Sequence, residues 1–208
     1  MSPLVLLYED AMLLAADKPA GLLAVPGRGP DKQDCLWARI AARHADAAIV
    51  HRLDQATSGV MLFGRGPDVQ RALSRAFAQG AVAKRYEAIV HGLTADDEGT
   101  IDLALAPDWP NRPRQVVDAA AGKPSTTRWR VLARDATARR TRLALEPLTG
   151  RTHQLRVHLA AIGHPIVGDA LYGPDGDDAP RLMLHATTLR LRHPGDGAPV
   201  AIESVVPF

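Results

Sequence analysis

The chain has 208 residues, enough for one large domain or two small ones and for a sizeable buried core. Its 46% hydrophobic and 23% charged content exclude a disordered polyelectrolyte, and a formal net charge of +2 neither demands nor excludes a polyanionic partner. The single cysteine, Cys35, excludes an internal disulfide, no stretch approaches the roughly 18 apolar residues of a membrane helix, and MSPLVLLYED lacks the basic flank and sustained apolar run of a signal peptide.

A cytoplasmic protein without membrane contact is therefore the expectation. Of the 25 basic residues only those at 18, 32, 84 and 123 are lysines. The remainder are arginines, which suit bidentate phosphate contacts and stacking on bases. A GC-rich coding bias, in keeping with the abundant alanine, explains the same preference without any function.

In chain order, PLVLLY (3–8) and MLLAA (12–16) read as two strands around a Glu-Asp-Ala turn, and DKPAGLLAVPG carries the Pro and Gly punctuation of a loop. A helix is predicted at 34–43, with Asp34 as its cap. A strand ending at Val50 and another starting near Val60 flank HRLDQATSGV. The segment 66–80 has a helical signature: Pro67 suits the first turn, Val69, Leu73, Ala76 and Phe77 share a stripe, and Gly80 suits the end.

Strands are predicted at 84–91 (KRYEAIVH), at 100–105, and as a pair at 125–132 and 140–147, while PDWPNRPRQ (107–115) reads as a loop or sheet-edge excursion. THQLRVHLAAI (152–162) sets Leu155, Leu159 and Ile162 at helical spacing, ended by Gly163 and Pro165. RLMLHA (181–186) reads as a buried strand with alternate apolar positions. The chain shows no repeat or linker and lacks regular strand-helix alternation, so a single α+β domain over 1–208 is expected.

Two polar clusters stand out. In HRLDQATSGV, Asp54 lies on a loop held by two rigid elements, a common place for function; it could equally cap a turn through Thr57 or Ser58, with Arg52 as its ion partner. In TGRTHQLRVH, Arg151, His153, Arg156 and His158 crowd a helix start, where backbone donors and the dipole favour a carboxylate or phosphate. A solvated polar face opposite Leu155 and Leu159 accounts for the same pattern.

Metal and cofactor chemistry find little support. His153 and His158 are five apart, which is not the HExxH spacing, and there is neither GxGxxG nor GxxxxGK[ST]. Ser58 lacks the GxSxG frame of a hydrolase elbow. Tyr86, taken alone, is a strand aromatic.

Taken together and in order, DKPAGLLAVPG, HRLDQATSG, KRYEAIVHG, GRTHQLRVHLAAIGHPIVGDALYG and RLMLHA resemble the RluA-type pseudouridine synthases over nearly the whole chain. The resemblance implies the pseudouridine-synthase fold, a long mixed, mainly antiparallel sheet bent around a catalytic cleft and flanked by helices and loops. It implies Asp54 as catalytic aspartate, Tyr86 as active-site tyrosine and Arg151 as the arginine that pairs with the catalytic carboxylate. Arg52 matches the arginine that displaces the target nucleotide and takes its place in the stack. Leu184 matches the apolar residue beside the base, and Leu182 would share its direction on a strand.

The reaction implied is the conversion of uridine to pseudouridine. The C1′–N1 bond breaks, the uracil turns, and C1′ rejoins at C5, with no net gain of atoms or electrons, so no cofactor and no metal are expected. It needs a charged oxygen close to the sugar and base, and a cation beside that oxygen fixes its orientation and offsets its removal from water. The target nucleotide must also be flipped out, which costs a few kcal/mol of stacking.

Many members carry an S4-like RNA-binding domain at the N-terminus, which this sequence does not show, so the resemblance is to the compact subgroup. That subgroup acts on a tRNA anticodon stem-loop, on 23S ribosomal RNA, or on both. Recognition is then expected from loops of the catalytic domain, with Arg112 and Arg114 as candidates for gripping an RNA stem-loop. A monomer is expected. The competing classes are an RNA chaperone that keeps the fold with catalysis dispensable, and a hydrolase that would release free uracil.

Overall fold

The computed structural model describes residues 3–208, so the first two residues of the N-terminal segment read above lie outside the described residues. In chain order the elements are β1 (Val5–Glu9), β2 (Leu13–Lys18), α1 (Leu36–Ala41), β3 (Ala47–Ile49), β4 (Ser58–Arg65), α2 (Gly66–Ala78), β5 (Ala83–His91) and β6 (Glu98–Asp102). There follow β7 (Leu105–Pro107), β8 (Gln115–Val117), β9 (Thr126–Asp135), β10 (Arg140–Pro147), α3 (Gln154–Ala161), β11 (Leu184–Arg192) and β12 (Pro199–Glu203). They form two compact units, one built from the residues up to Lys84 with His185–Pro207, the other from Arg85–Leu184 with Phe208.

In the first unit β1 and β2 form an antiparallel hairpin whose turn is closed by Asp10. Its Oδ1 accepts from the backbone N–H of Met12 and of Leu13, each at 2.7 Å. β2 and β3 run antiparallel to β4, β11 runs parallel to it, and β12 adds antiparallel to β11. Strands β2 and β4 are apolar on both faces, so they must be covered twice.

Alternation along these strands divides the core. Leu13, Ala15, Val60 and Leu62 meet Val69 and Leu73 of α2, together with Leu189, Leu191 and Ile202. Leu14, Ala16, Met61 and Phe63 meet Leu36 and Ile40 of α1. Each fully buried Leu or Phe contributes about 1.5–3 kcal/mol, which makes β2 and β4 a stiff support for whatever the β3–β4 loop carries.

The stripe Val69, Leu73, Ala76, Phe77 packs as its spacing predicts, and Gly80 follows the helix at φ 72°. Asp34 is not the cap of α1. Cys35 is, its Sγ accepting from the Ala38 N–H at 3.4 Å, and Asp34 instead holds Arg39 through two bonds of 2.7 Å. The carboxylate one residue outside the cap finds a guanidinium stronger than a backbone donor.

In the second unit β5, β10, β9 and β6 pair antiparallel in that order, and β7 with β8 forms a separate hairpin that accounts for the Pro-rich excursion. The strand predicted at 100–105 is two short strands, β6 and β7. RLMLHA is a strand only from Leu184, so Leu182 does not share a strand direction with it, although both are 3% exposed. β12, five residues long, was not anticipated by the pattern.

Candidate functional site

Asp54 lies between β3 and β4 in the first unit, half-buried, with exposed Arg52 two residues before it. The turn that follows is closed by backbone, the Thr57 N–H donating to the Asp54 carbonyl at 3.1 Å. The backbone on either side is tied to its surroundings at four points.

The first tie is His51. Its Nε2 accepts from the Leu62 N–H at 2.8 Å and its ring stacks on Phe77 with centroids 4.4 Å apart. Burial, helped by the Lys84 charge, pushes its pKa down to about 3. The imidazole is therefore neutral, with its proton on Nδ1, and it fastens the start of the loop to β4.

The second and third ties meet at Gln55. Lys18 is fully buried, and its Nζ donates to the carbonyls of Pro19 at 2.9 Å, Leu22 at 2.7 Å and Gln55 at 3.0 Å. Gln55 also exchanges bonds with Gly21: the Gly21 N–H donates to the Gln55 carbonyl, and Gln55 Nε2 to the Gly21 carbonyl, both at 2.9 Å. An ammonium wholly out of water must have such acceptors, so the loop 19–22 is locked to the residue after Asp54.

The fourth tie is a buried chain from Ser58 Oγ to His185 Nδ1 at 2.7 Å and from His185 Nε2 to Ser204 Oγ at 3.0 Å. It lies where β4 runs beside β11. Gly59 permits that approach, since at φ 114° a Cβ there would run into the Ala186 backbone. Motif spacing did not single out His51, His185 or Ser204, because their partners are distant in sequence.

The remaining candidates lie in the second unit. Tyr86 sits on β5 opposite Leu145 of β10, half-buried, and Leu184 opens β11. Arg151 is exposed just before α3, its Nε donating to the Pro124 carbonyl at 3.2 Å. Its backbone N–H is held at 3.0 Å by Gln154 Oε1, which also accepts from Thr149 Oγ1 at 2.7 Å. The Gln154 Nε2 donates to the Thr126 carbonyl and Thr127 Oγ1, both at 3.0 Å. One buried amide thus fastens the Arg151 turn to β9.

The polar residues of α3 itself are buried and are not a solvated face. Arg156 is 5% exposed and forms a two-bond pair with Asp169, Nε to Oδ2 at 2.8 Å and Nη2 to Oδ1 at 2.7 Å. His158 is buried between Thr127 Oγ1 and the Leu103 carbonyl, both at 3.0 Å, and its burial lowers its pKa. Residues from Gln154 to Leu159 are all buried, because this helix is enclosed on every side and its polar groups are paired internally.

Arg112 and Arg114 are exposed on the β7–β8 hairpin. The Arg112 guanidinium lies 3.4 Å from the centroid of Trp109, and that of Arg114 lies 5.3 Å from the centroid of Tyr172. The Tyr172 hydroxyl accepts from the Gln115 N–H at 2.8 Å and bonds His153 Nδ1 at 2.7 Å, and Arg156 lies 5.1 Å from the same ring.

Known proteins resemble this chain in sequence and fold. The sequence matches the family model for RNA pseudouridylate synthase over residues 12–161. The dual-specificity RNA pseudouridine synthase RluA of Yersinia pestis is 44% identical over 207 residues, covering 99% of this chain and 100% of that protein. The protein of the same name from Vibrio cholerae is 46% identical over 190 residues, 90% of this chain and 77% of that one. Among solved structures, human RNA pseudouridylate synthase domain containing 1 matches with a TM-score of 0.83 and 31% identity, covering 100% of this chain and 87% of that one. Human RNA pseudouridylate synthase domain containing 4 shares the fold, with a TM-score of 0.77 at 24% identity, covering 98% of this chain and 88% of that one. The chain has the pseudouridine-synthase fold, α+β with mainly antiparallel sheet, and it belongs to the RNA pseudouridylate synthase family as an isomerase of the RluA type.

Proposed function

We propose that this chain isomerises uridine in a stem-loop of a tRNA anticodon arm, of 23S ribosomal RNA, or of both, with Asp54 as the group that carries the chemistry. The observation behind this reading is the loop around Asp54. In a chain of this family, four independent ties hold the backbone on both sides of one half-buried carboxylate. Holding a reacting group in place before the substrate arrives removes an entropic part of the barrier. The relatives named dual-specificity support a choice of two RNA classes.

Each remaining candidate has a role that follows from its chemistry. Arg52, planar, cationic and exposed, fills the gap left when the uridine is flipped from its stack. Tyr86 and Arg151 complete the catalytic set, the tyrosine hydroxyl serving as proton acceptor. Leu184, with Leu182 as the alternative, offers the uracil an apolar wall. Arg112 and Arg114 grip the phosphates of the stem-loop. C1′–N1 breaks, C1′–C5 forms, C5 gives up its proton and N1 gains one, so the reaction balances within the nucleotide and requires neither cofactor nor metal.

The family match takes in residues of both units, which supports reading the chain as a single catalytic domain. It acts in the cytoplasm as a monomer, away from membranes. The test compares RNA from cells lacking the protein, complemented with the wild type or with Asp54→Asn, after a pseudouridine-specific carbodiimide and reverse transcription. Stops at an anticodon-arm or 23S position should return with the wild type alone. Their return with Asp54→Asn would refute the role of Asp54, and a rescued growth defect without stops would favour the chaperone.

A further inference from the structure

We infer that Trp109, braced by Arg112, is a stacking platform for one unpaired base of the RNA, a binding site beyond the catalytic residues. The inference rests on the RNA-modifying function proposed above and adds a residue that sets which stem-loops are accepted.

Trp109 is 66% exposed at the turn of the β7–β8 hairpin. The other two tryptophans are not: Trp37 is half-buried with its Nε1 on the Ala47 carbonyl at 2.9 Å, and half-buried Trp129 packs where Gly99 leaves no room for a Cβ. An indole in water gains nothing for the fold. The Arg112 guanidinium lies over one face of the ring, 3.4 Å from its centroid, and the indole remains exposed enough to take a second flat partner.

The turn is rigid. The Asp108 N–H donates to the Arg114 carbonyl and the Arg114 N–H to the Asn111 carbonyl, both at 3.0 Å. Both oxygens of Asp108 accept from Asn111 Nδ2, at 3.1 and 3.0 Å, so the acid of this turn is engaged by a neutral amide. Below the turn, Gln115 and Arg114 are seated on Tyr172. A stiff aromatic loses little entropy on binding.

Charge selects the occupant. Trp109 is flanked by the exposed cations Arg112 and Arg114, so its partner should carry both negative charge and flat π faces, which a nucleotide does. Stacking tolerates every base, so the platform would recognise that a nucleotide is unpaired at a given position and not which base it is. It therefore reads loop geometry.

The test is a mutant cycle between protein and RNA, with binding of labelled stem-loops measured at one fixed salt concentration and turnover measured separately. Trp109→Ala should weaken binding by between about 5-fold and about 150-fold, with the effect falling on KM more than on kcat, and Trp109→Phe should recover most of it. Replacing loop nucleotides one at a time by abasic residues should give one position at which wild type loses affinity and Trp109→Ala does not. If Trp109→Ala binds as tightly as wild type, or if every abasic position penalises both proteins equally, the platform does not exist. An absence of pseudouridine formation by wild type would overturn the proposed function instead, and the binding cycle would still decide the platform.

Discussion

The segments 51–58 and 149–158 are both dense in polar and charged side chains, and they place their charges differently. Around Asp54 the segment's neutral side chains His51, Gln55 and Ser58 bond to Leu62 of β4, Gly21 and His185, Lys18 from the end of β2 adds a bond to the Gln55 carbonyl, and Arg52 stays exposed with Asp54 half-buried. Around α3 the segment's own Gln154, Arg156 and His158 provide the support and are buried in doing so, with Arg151 left exposed. The proposed reacting group is held by neutral neighbours, whereas a charge buried on a helix needs a charged partner.

The contrast is broken most directly by Asp54→Asn. It should lower kcat by about 10³-fold or more while leaving melting temperature and RNA affinity near wild type, as read by carbodiimide mapping, calorimetry and filter binding. A large loss of stability instead would mean that Asp54 supports the loop like its neighbours.

Next in size is the buried pair. Arg156→Leu leaves the Asp169 carboxylate uncompensated and should cost about 3–5 kcal/mol in denaturant unfolding. Arg156→Leu with Asp169→Leu should recover part of that, though not all, since Asp169 Oδ1 also accepts from the Leu171 and Tyr172 N–H groups. Equal losses in the single and double variants would place the cost in those backbone bonds and not in the charge.

Ser58→Ala removes a partner of buried His185 and should cost about 1–3 kcal/mol. Because Ser58 adjoins the Asp54 turn, kcat should fall as well. In contrast, the Arg156 variant should lose stability with a smaller change in kcat among the molecules that remain folded. If Ser58→Ala changes stability alone, the fourth tie holds the strands together and does not position Asp54.

The smallest effect is on acid sensitivity. His51 is neutral in the fold with its pKa pushed down to about 3, while in the unfolded chain it takes a proton near 6.5. Between those values the unfolded state binds the extra proton, so stability falls as pH is lowered through this window. For a half-buried residue the slope is at most about 1.4 kcal/mol per pH unit. His158, also lowered by burial, acts in the same direction in the second unit. Unfolding of His51→Gln followed from pH 7 to pH 4 should show a flatter decline than wild type, and an unchanged profile would remove His51 as its source.

Much of the fold could be read directly. The stripe on α2, the alternation in β10 and the strand before Asp54 depend on neighbours within one element, where periodicity carries the information. The family motifs marked Asp54, Arg52, Tyr86 and Arg151 because they are local runs in a fixed order. What stayed hidden was contact between distant residues. Asp34 looked like a cap until Arg39 was found to claim it, and Arg156 looked like surface charge until Asp169 met it.

From sequence alone follow the family, the residues proposed for the chemistry, and the elements on which they sit, since each is written in adjacent or regularly spaced positions. Only the tertiary structure decided which polar groups are scaffold and which face the solvent. A side chain's role there is set by what removes it from water, and its partners, Gln55 for Lys18 and His185 for Ser58, lie 37 and 127 residues away.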